Sequence, residues 1–382
     1  MNLLETRISC EAIAANTRRL KDMVAPAQLM CVVKADGYNH GAPEVATVMA
    51  RNGADQFGVA TLAEAHQLRD AGITLPILCW IWSPEQDFSA AIDRDIDLAA
   101  VSMEHVRALI AEAMRRPAGT RVRVTVKIDT ELHRSGIDEA NWTEAFELLH
   151  ACPQINVTGV FSHLACADDL ESDYTDHQAE VFRRAIDAGR RVGLDLSVNH
   201  LAASPATLTR PDLHFDMVRP GLALYGHEPI AGLDHGLREA MTWIGSVTVV
   251  KPIAAGQGTS YNMTWHAPAD GYLCVVPVGY ADGLPRNVQG HLEVTIAGTR
   301  YPQVGRVCMD QIVVFLGDNS RGVAPGDEAI IFGPRDTQAM TATELACATG
   351  TINYEILCRA TGRSHRTYSA LDAVAPTHPT ES

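Results

Sequence analysis

The sequence lacks any apolar run approaching the ~20 residues a spanning helix needs, so no membrane-crossing helix is expected. It is short of basic charge: 31 Lys and Arg against 46 Asp and Glu leave a net charge of −15, a sign that repels nucleic acid and anionic membrane surfaces. Any anionic ligand must therefore meet a locally basic site. None of the nine scattered cysteines stands in CxxC spacing, which favours neither a disulfide framework nor a zinc knuckle; no metal is expected, and a reducing cytoplasm suits the thiols. The opening MNLLETRISC has no basic segment followed by an apolar run, so no secretory signal is expected. No GxGxxG follows the first strand-like run and no GxxxxGK[ST] occurs, which argues against a nucleotide as the ligand. What is present, 46% hydrophobic and 20% charged residues, excludes disorder, collagen and a coiled rod.

Between residues 28 and 226 short β-branched runs alternate with longer segments of helical period. LMCVVKA, QFGVAT, PILCWIW, DLAAVS, VRVTVKID, VTGVFSHL, LSVNHLA and MVRPGLALYG are eight such runs, separated by segments such as LAEAHQLRDAG and DHQAEVFRRAIDAGRRVG. Eight strand-plus-helix units predict an α/β fold, a closed (β/α)8 TIM-type barrel; an open doubly wound sheet is the alternative. From Thr242 onward TWIGSVTVVKPI, YLCVVPVGY, EVTIAG, YPQVGRV, QIVVFLG and EAIIFG are separated by Gly, Pro and Asp turns, with a last helical stretch at TATELACATG. The expected division is a barrel over 1–240, its first ten or so residues joining a mostly β domain over 241–382. The tail ALDAVAPTHPTES reads as frayed.

In such a barrel the reactive groups gather at the C-terminal ends of the strands. The first run ends in Lys34, an amine whose desolvation would make it a usable nucleophile. In the fifth, Val122, Val124, Val126 and Ile128 alternate with Arg123, Thr125, Lys127 and Asp129; with the valines against the helices, Lys127 and Asp129 point into the barrel mouth. Arg134 follows in the adjoining loop, suited to a two-point grip on a carboxylate. The sixth run delivers His163, the seventh leads to Ser204, and the eighth carries Arg219 before Pro220 and Gly221. The loops holding Ser204 and the Gly221-Leu222 backbone suit a phosphate. A reactive lysine, a strand arginine and a phosphate cup together suggest pyridoxal phosphate.

From Arg7 to Tyr368 the chain resembles the bacterial alanine racemases, through VVKADGYNHG, VKIDTELHRSG, SHLACAD, NHLAASPATL, VRPGLALYG, GTSYNMTW, PVGYADG, VGRVCMDQ and TINYEILCR in family order. The resemblance implies pyridoxal phosphate as cofactor, with Lys34 as Schiff-base lysine and one base. It implies Tyr261 as the opposing base, supplied by the other subunit of a head-to-tail homodimer. Arg219 would bond the pyridine nitrogen, and Tyr38, Ser204, Gly221, Leu222 and Tyr354 would hold the phosphate. His163 would bond both Arg219 and the Tyr261 phenol; Arg134 and the Met309 backbone would receive the substrate carboxylate. Lys127 matches a lysine that carries a carbamate in many members, and Tyr280, Cys308 and Asp310 would line the site across the interface.

The implied activity is interconversion of L- and D-alanine. Removing the α-proton from one face and returning one to the other is served most simply by two bases on opposite sides of the cofactor plane. Three alternatives stand beside it: a racemase that also takes serine, a barrel decarboxylase, and a non-catalytic carrier of the cofactor. A decarboxylase would show an acidic partner for the pyridine nitrogen in place of Arg219, and a carrier would not need Tyr261. The chain departs from the family at KADGYNHG, usually KANAYGHG, and at Glu131-Leu132, usually GM. Trp80-Ile81-Trp82, bulky for a strand end, bears on pocket shape and access, and its two tryptophans read as packing between barrel and helices.

Overall fold

A computed structural model describes residues 2–117 and 119–369; the expected fraying after residue 369 lies outside them. Parallel strands β2 (Gln28–Val32), β3 (Gln56–Thr61), β4 (Ile77–Ile81), β5 (Ile96–Ala100), β6 (Val122–Lys127), β7 (Ile155–Phe161) and β8 (Met217–Val218) follow β1 (Leu4–Ser9) in the chain. Seven of them form one curled sheet in the order β7-β6-β5-β4-β3-β2-β8. The seventh run makes no full strand. Bridges Phe161↔His200 and Ala203↔Arg219 nevertheless tie it to both β7 and β8, so the ring closes through it. Asn199 interrupts the ladder there: its side chain takes the Val160 N–H and bonds Asp216, while backbone bonds such as Val198 N–H to Thr158 and His200 N–H to Val160 remain on either side. The approach of this segment also requires Gly159, where a Cβ would lie 1.8 Å from the Val198 carbonyl oxygen. Pro220, without an N–H, ends the eighth strand early, and the chain turns into a 3-10 segment at Leu222–Tyr225.

Helices pack outside the sheet, started by local signals. Thr61 and Glu64 form a reciprocal cap for Leu62–Asp70, and Gly193, at φ 101°, stops Tyr174–Val192. Inside the barrel, Met30, Leu78, Ala99, Phe161 and Met217 form their own apolar layer. Beneath it a polar cavity of about 340 Å³ is lined by Arg123, Thr125, Asp97 and His200, so the inward direction of the polar face of β6 holds. Trp82 is buried, donates to the Ala99 carbonyl at 2.9 Å and packs edge-on to His105: it is a packing residue, as expected.

The second sheet has nine strands. Its order is Val249–Ile253, Gly271–Val276, Ile312–Gly317, Thr299–Val304, Glu293–Ile296, Glu328–Phe332, β9 (Met241–Ser246), β1 and His365–Ser369. β1 pairs antiparallel with β9 and parallel with His365–Ser369, so the first and last described strands meet in this mostly β domain. The helix expected at TATELACATG forms over Ala342–Thr349, capped by Thr341 and Glu344, and a second follows at Asn353–Arg359.

Candidate active site

Lys34 stands just after β2, Lys127 closes β6, His163 follows β7 and Arg219 follows β8, so all four arrive at the C-terminal end of the barrel. Lys34 is half-buried and its amine makes no hydrogen bond among the described residues. Burial, then the nearby Arg134 charge, holds it below the ordinary ammonium range. Lys127, buried beside Arg134 and Arg219, is pushed down to about 8; its amine donates to the Ser135 hydroxyl. Asp129 Oδ1 shapes the following loop by accepting from the Glu131 and His133 N–H groups, and Arg134 stands exposed beyond them. Glu131, one of the family departures, is spent on Tyr174 and His177.

Arg219 is the best-fixed charge of the group. Nη1 donates to His200 Nδ1 at 3.0 Å and to the His200 carbonyl at 2.7 Å, and Nη2 donates to the Ser162 carbonyl at 2.5 Å. Burial lowers it to about 9, so it remains a charged donor at neutral pH. A guanidinium only donates, so His200 accepts through Nδ1 and carries its proton on Nε2. The histidine bonded to Arg219 is thus His200 and not His163. His163 is held neutral, lowered to about 3 by burial and then by the charges of Arg219 and Arg134. The Phe161 ring lies under both cations, 5.5 Å from the Arg219 guanidinium carbon and 5.9 Å from the Lys127 amine.

Ala35 to Asn39 all have φ between 52° and 65°, a left-handed turn in which only Gly37 is free of a Cβ. Each non-glycine residue there costs about 1–2 kcal/mol. The turn buries Tyr38, whose ring lies 4.9 Å from Tyr225 and 5.9 Å from Tyr354. The bridge of Ala203 to Arg219 sets the next residues of both segments side by side. Ser204 Oγ accordingly accepts from the Gly221 N–H at 3.0 Å and the Ala223 N–H at 3.2 Å. A Cβ on Gly221 would stand 2.3 Å from the Tyr38 hydroxyl, so glycine is required for these elements to meet. The Tyr38 and Tyr354 hydroxyls make no hydrogen bond among the described residues, and Leu222 opens a 3-10 turn that cannot use its N–H. With the Ser204 hydroxyl proton, these are four unspent donors about one point, the chemistry an anion needs.

The remaining predicted residues gather elsewhere, on an exposed face of the second domain. Tyr261 is 66% exposed, and Tyr280 and Met309 stand out beside it. The Cys308 and Met309 carbonyls accept from the Tyr280 and Ala281 N–H groups, Ser260 Oγ lies 3.6 Å from Cys308 Sγ, and Asp310 pairs with Arg363 at 2.7 Å. Among the described residues no hydrogen bond or ring contact joins Tyr261 to Lys34, His163 or Arg219.

Two family models cover almost all of the chain: the alanine racemase N-terminal domain over residues 8–229 and the alanine racemase C-terminal domain over residues 240–368. The chain belongs to the alanine racemase family. It is 63% identical to the alanine racemase of Corynebacterium efficiens over 369 residues, 97% of this chain and 99% of that one. A crystal structure of alanine racemase from Corynebacterium glutamicum is similar with a TM-score of 0.87 at 55% identity, covering 97% of this chain and 100% of that one. For the alanine racemase of Streptomyces lavendulae the TM-score is 0.92 at 40% identity, with 97% of each chain covered.

Within this alanine racemase frame, reading strand ends found Lys34, Lys127, His163 and Arg219 but passed over His200, although the seventh run contains it. Cys358 was also missed. It lies on Asn353–Arg359, near enough for the Lys34 charge to act on it, and no spacing motif marks it.

Proposed function

We propose that this enzyme interconverts L-alanine and D-alanine, using pyridoxal phosphate and acting as a head-to-tail homodimer in the cytoplasm, where it supplies D-alanine. The observation that carries the reading is the barrel mouth: a free Lys34 amine, a buried Arg219 donor and four unspent donors about Gly221. These residues fit the cofactor. Lys34 would hold its aldehyde carbon, Arg219 would donate to its ring nitrogen, and Tyr38, Ser204, Leu222 N–H and Tyr354 would hold its phosphate. When bound, the group supplies an electron sink for the pair left at the substrate's α-carbon.

Lys34, lowered by burial and Arg134, reaches its neutral, proton-accepting form at a lower pH than free lysine and serves one face of the α-carbon. The partner's Tyr261 serves the other face: its exposure in the lone protomer suits a side chain completed by a second copy. Arg219 keeps its proton, so the ring nitrogen receives a hydrogen bond and no full positive charge, which disfavours the acid-assisted chemistry a decarboxylase uses. Arg134 and the Met309 N–H would orient the substrate carboxylate. A direct test is solvent-label exchange at the α-carbon with purified protein, alanine and pyridoxal phosphate. Label uptake with inversion and without carbon dioxide release is expected; carbon dioxide release, or no uptake, would overturn the reading.

Lys127 would carry a carbamate. Beside Arg134 an ammonium repels, whereas a carbamate anion attracts and orients the guanidinium. Forming it requires the neutral amine, and with a folded value of about 8 the neutral fraction grows as pH rises through that point. A carbon-13 carbamate signal is expected with labelled bicarbonate above pH 8 and should vanish in Lys127→Ala. A wild-type spectrum identical to that of the variant would refute the modification.

A further inference from the structure

We propose that Arg366 is a positioning residue, a latch from the chain's last strand that holds the left-handed turn and keeps Lys34 and Tyr38 in place. The inference rests on the site reading above. Five successive residues in the left-handed region persist only where their surroundings over-determine them. Some restraint is local to the barrel: Glu64 accepts from the Ala35 N–H at 2.7 Å, and Asp36 Oδ1 accepts from the Ala42 N–H at 2.8 Å. The rest arrives from more than 300 residues away. Arg366 Nη2 donates to Asp36 Oδ2 at 2.7 Å and to Asn39 Oδ1 at 2.9 Å, and the Asn39 amide donates to the Ala360 carbonyl. Asp36 thus has one oxygen on the barrel and one on the last strand, while Asn39 is held at both arms from the C-terminal segment.

The far end of the turn is bracketed by the same strand. A Cβ on Gly41 would lie 1.9 Å from the Tyr368 hydroxyl and 2.9 Å from Arg366, so the strand closes directly over the end of the turn. That strand is itself fixed, since Arg366 stands opposite Thr6 and Tyr368 opposite Ile8 in the parallel pairing with β1. The latch therefore joins the cofactor turn of the barrel to the domain that carries Tyr261. Both partners of the Arg366–Asp36 pair remain partly exposed, 27% and 42%, and such pairs contribute little to global stability. Its effect belongs to the turn, and this separates positioning from mere packing.

The test compares wild-type holoprotein with Arg366→Met, Arg366→Lys and Asp36→Asn, measuring the loss of bound pyridoxal phosphate during dialysis and the melting temperature of the cofactor-free protein. Arg366→Met removes the charge-assisted hydrogen bonds to both Asp36 and Asn39 and should lose cofactor at least about tenfold faster, with little change in melting, and Arg366→Lys should restore much of the retention. Asp36→Asn keeps an oxygen for the Ala42 N–H and should share the faster loss. It decides the matter if Arg366→Met melts early. Retention within twofold of wild type in Asp36→Asn, or in a normally melting Arg366→Met, overturns the latch. Wild-type protein that takes up no pyridoxal phosphate overturns instead the reading of the site.

Discussion

Replacing Tyr261 with phenylalanine should slow interconversion of the alanine enantiomers by about 10²–10⁴-fold, the usual contribution of a positioned acid or base. The more informative outcome is an asymmetry. Phenylalanine keeps the ring and removes only the group that, in the proposed mechanism, carries a proton at one face. Lys34, on the other face, is untouched and still held below the ordinary ammonium range by burial and Arg134. In heavy water one enantiomer should therefore keep exchanging its α-hydrogen without inversion, while the other exchanges far more slowly. The fold should tolerate the change, because Tyr261 is exposed and its hydroxyl makes no hydrogen bond among the described residues. Equal slowing of exchange for both enantiomers would show that one group serves both faces.

Lys34→Ala should be more severe, a loss of about 10⁴-fold or more, because in the proposed mechanism one amine both holds the cofactor and moves a proton. Borohydride treatment of wild-type holoprotein should fix the cofactor to the peptide containing Lys34, and the variant should stay unmodified. Phosphate affinity should survive, since Ser204, Leu222, Tyr38 and Tyr354 are unchanged; the Gly221 N–H, expected from the resemblance to hold the phosphate, is spent with that of Ala223 on Ser204, and neither bond involves Lys34. Cofactor fixed by borohydride at Lys127 in wild-type protein would contradict the assignment. Lys127 is the other lysine at the barrel mouth with a lowered value, about 8.

Period and punctuation made the barrel legible in the sequence, and the strand-end rule then exposed Lys34, Lys127, His163 and Arg219 without any coordinates. The seventh run misled in one respect: β-branched spacing predicts a full strand, but Asn199 spends its side chain on Val160 and Asp216 and the segment pairs only through isolated bridges and a few backbone bonds. His200 stayed hidden for a related reason. Its importance comes from barrel closure, which sets it against Arg219, and nothing within NHLAASPATL announces that contact. The left-handed turn was equally invisible, since Ala35, Asp36, Tyr38 and Asn39 have no common preference for positive φ. It is imposed from outside by Glu64 and Arg366. Asp36 and Asn39 read as departures of unknown consequence in the sequence, and the structure gives both the same partner.

The exposed face around Tyr261, Tyr280 and Met309 suits the proposed completion of the site by a second copy, and this is the claim on which the proposed mechanism turns. Unfolding and refolding an equal mixture of Lys34→Ala and Tyr261→Phe chains tests it most directly. In a two-fold dimer with shared sites, half of the dimers are mixed, and each mixed dimer carries one site with both defects and one with none. About a quarter of wild-type activity should therefore appear from two nearly inactive parents. If the mixture stays as inactive as its components while still forming mixed dimers, Lys34 and Tyr261 do not meet across subunits, and the two-base account fails.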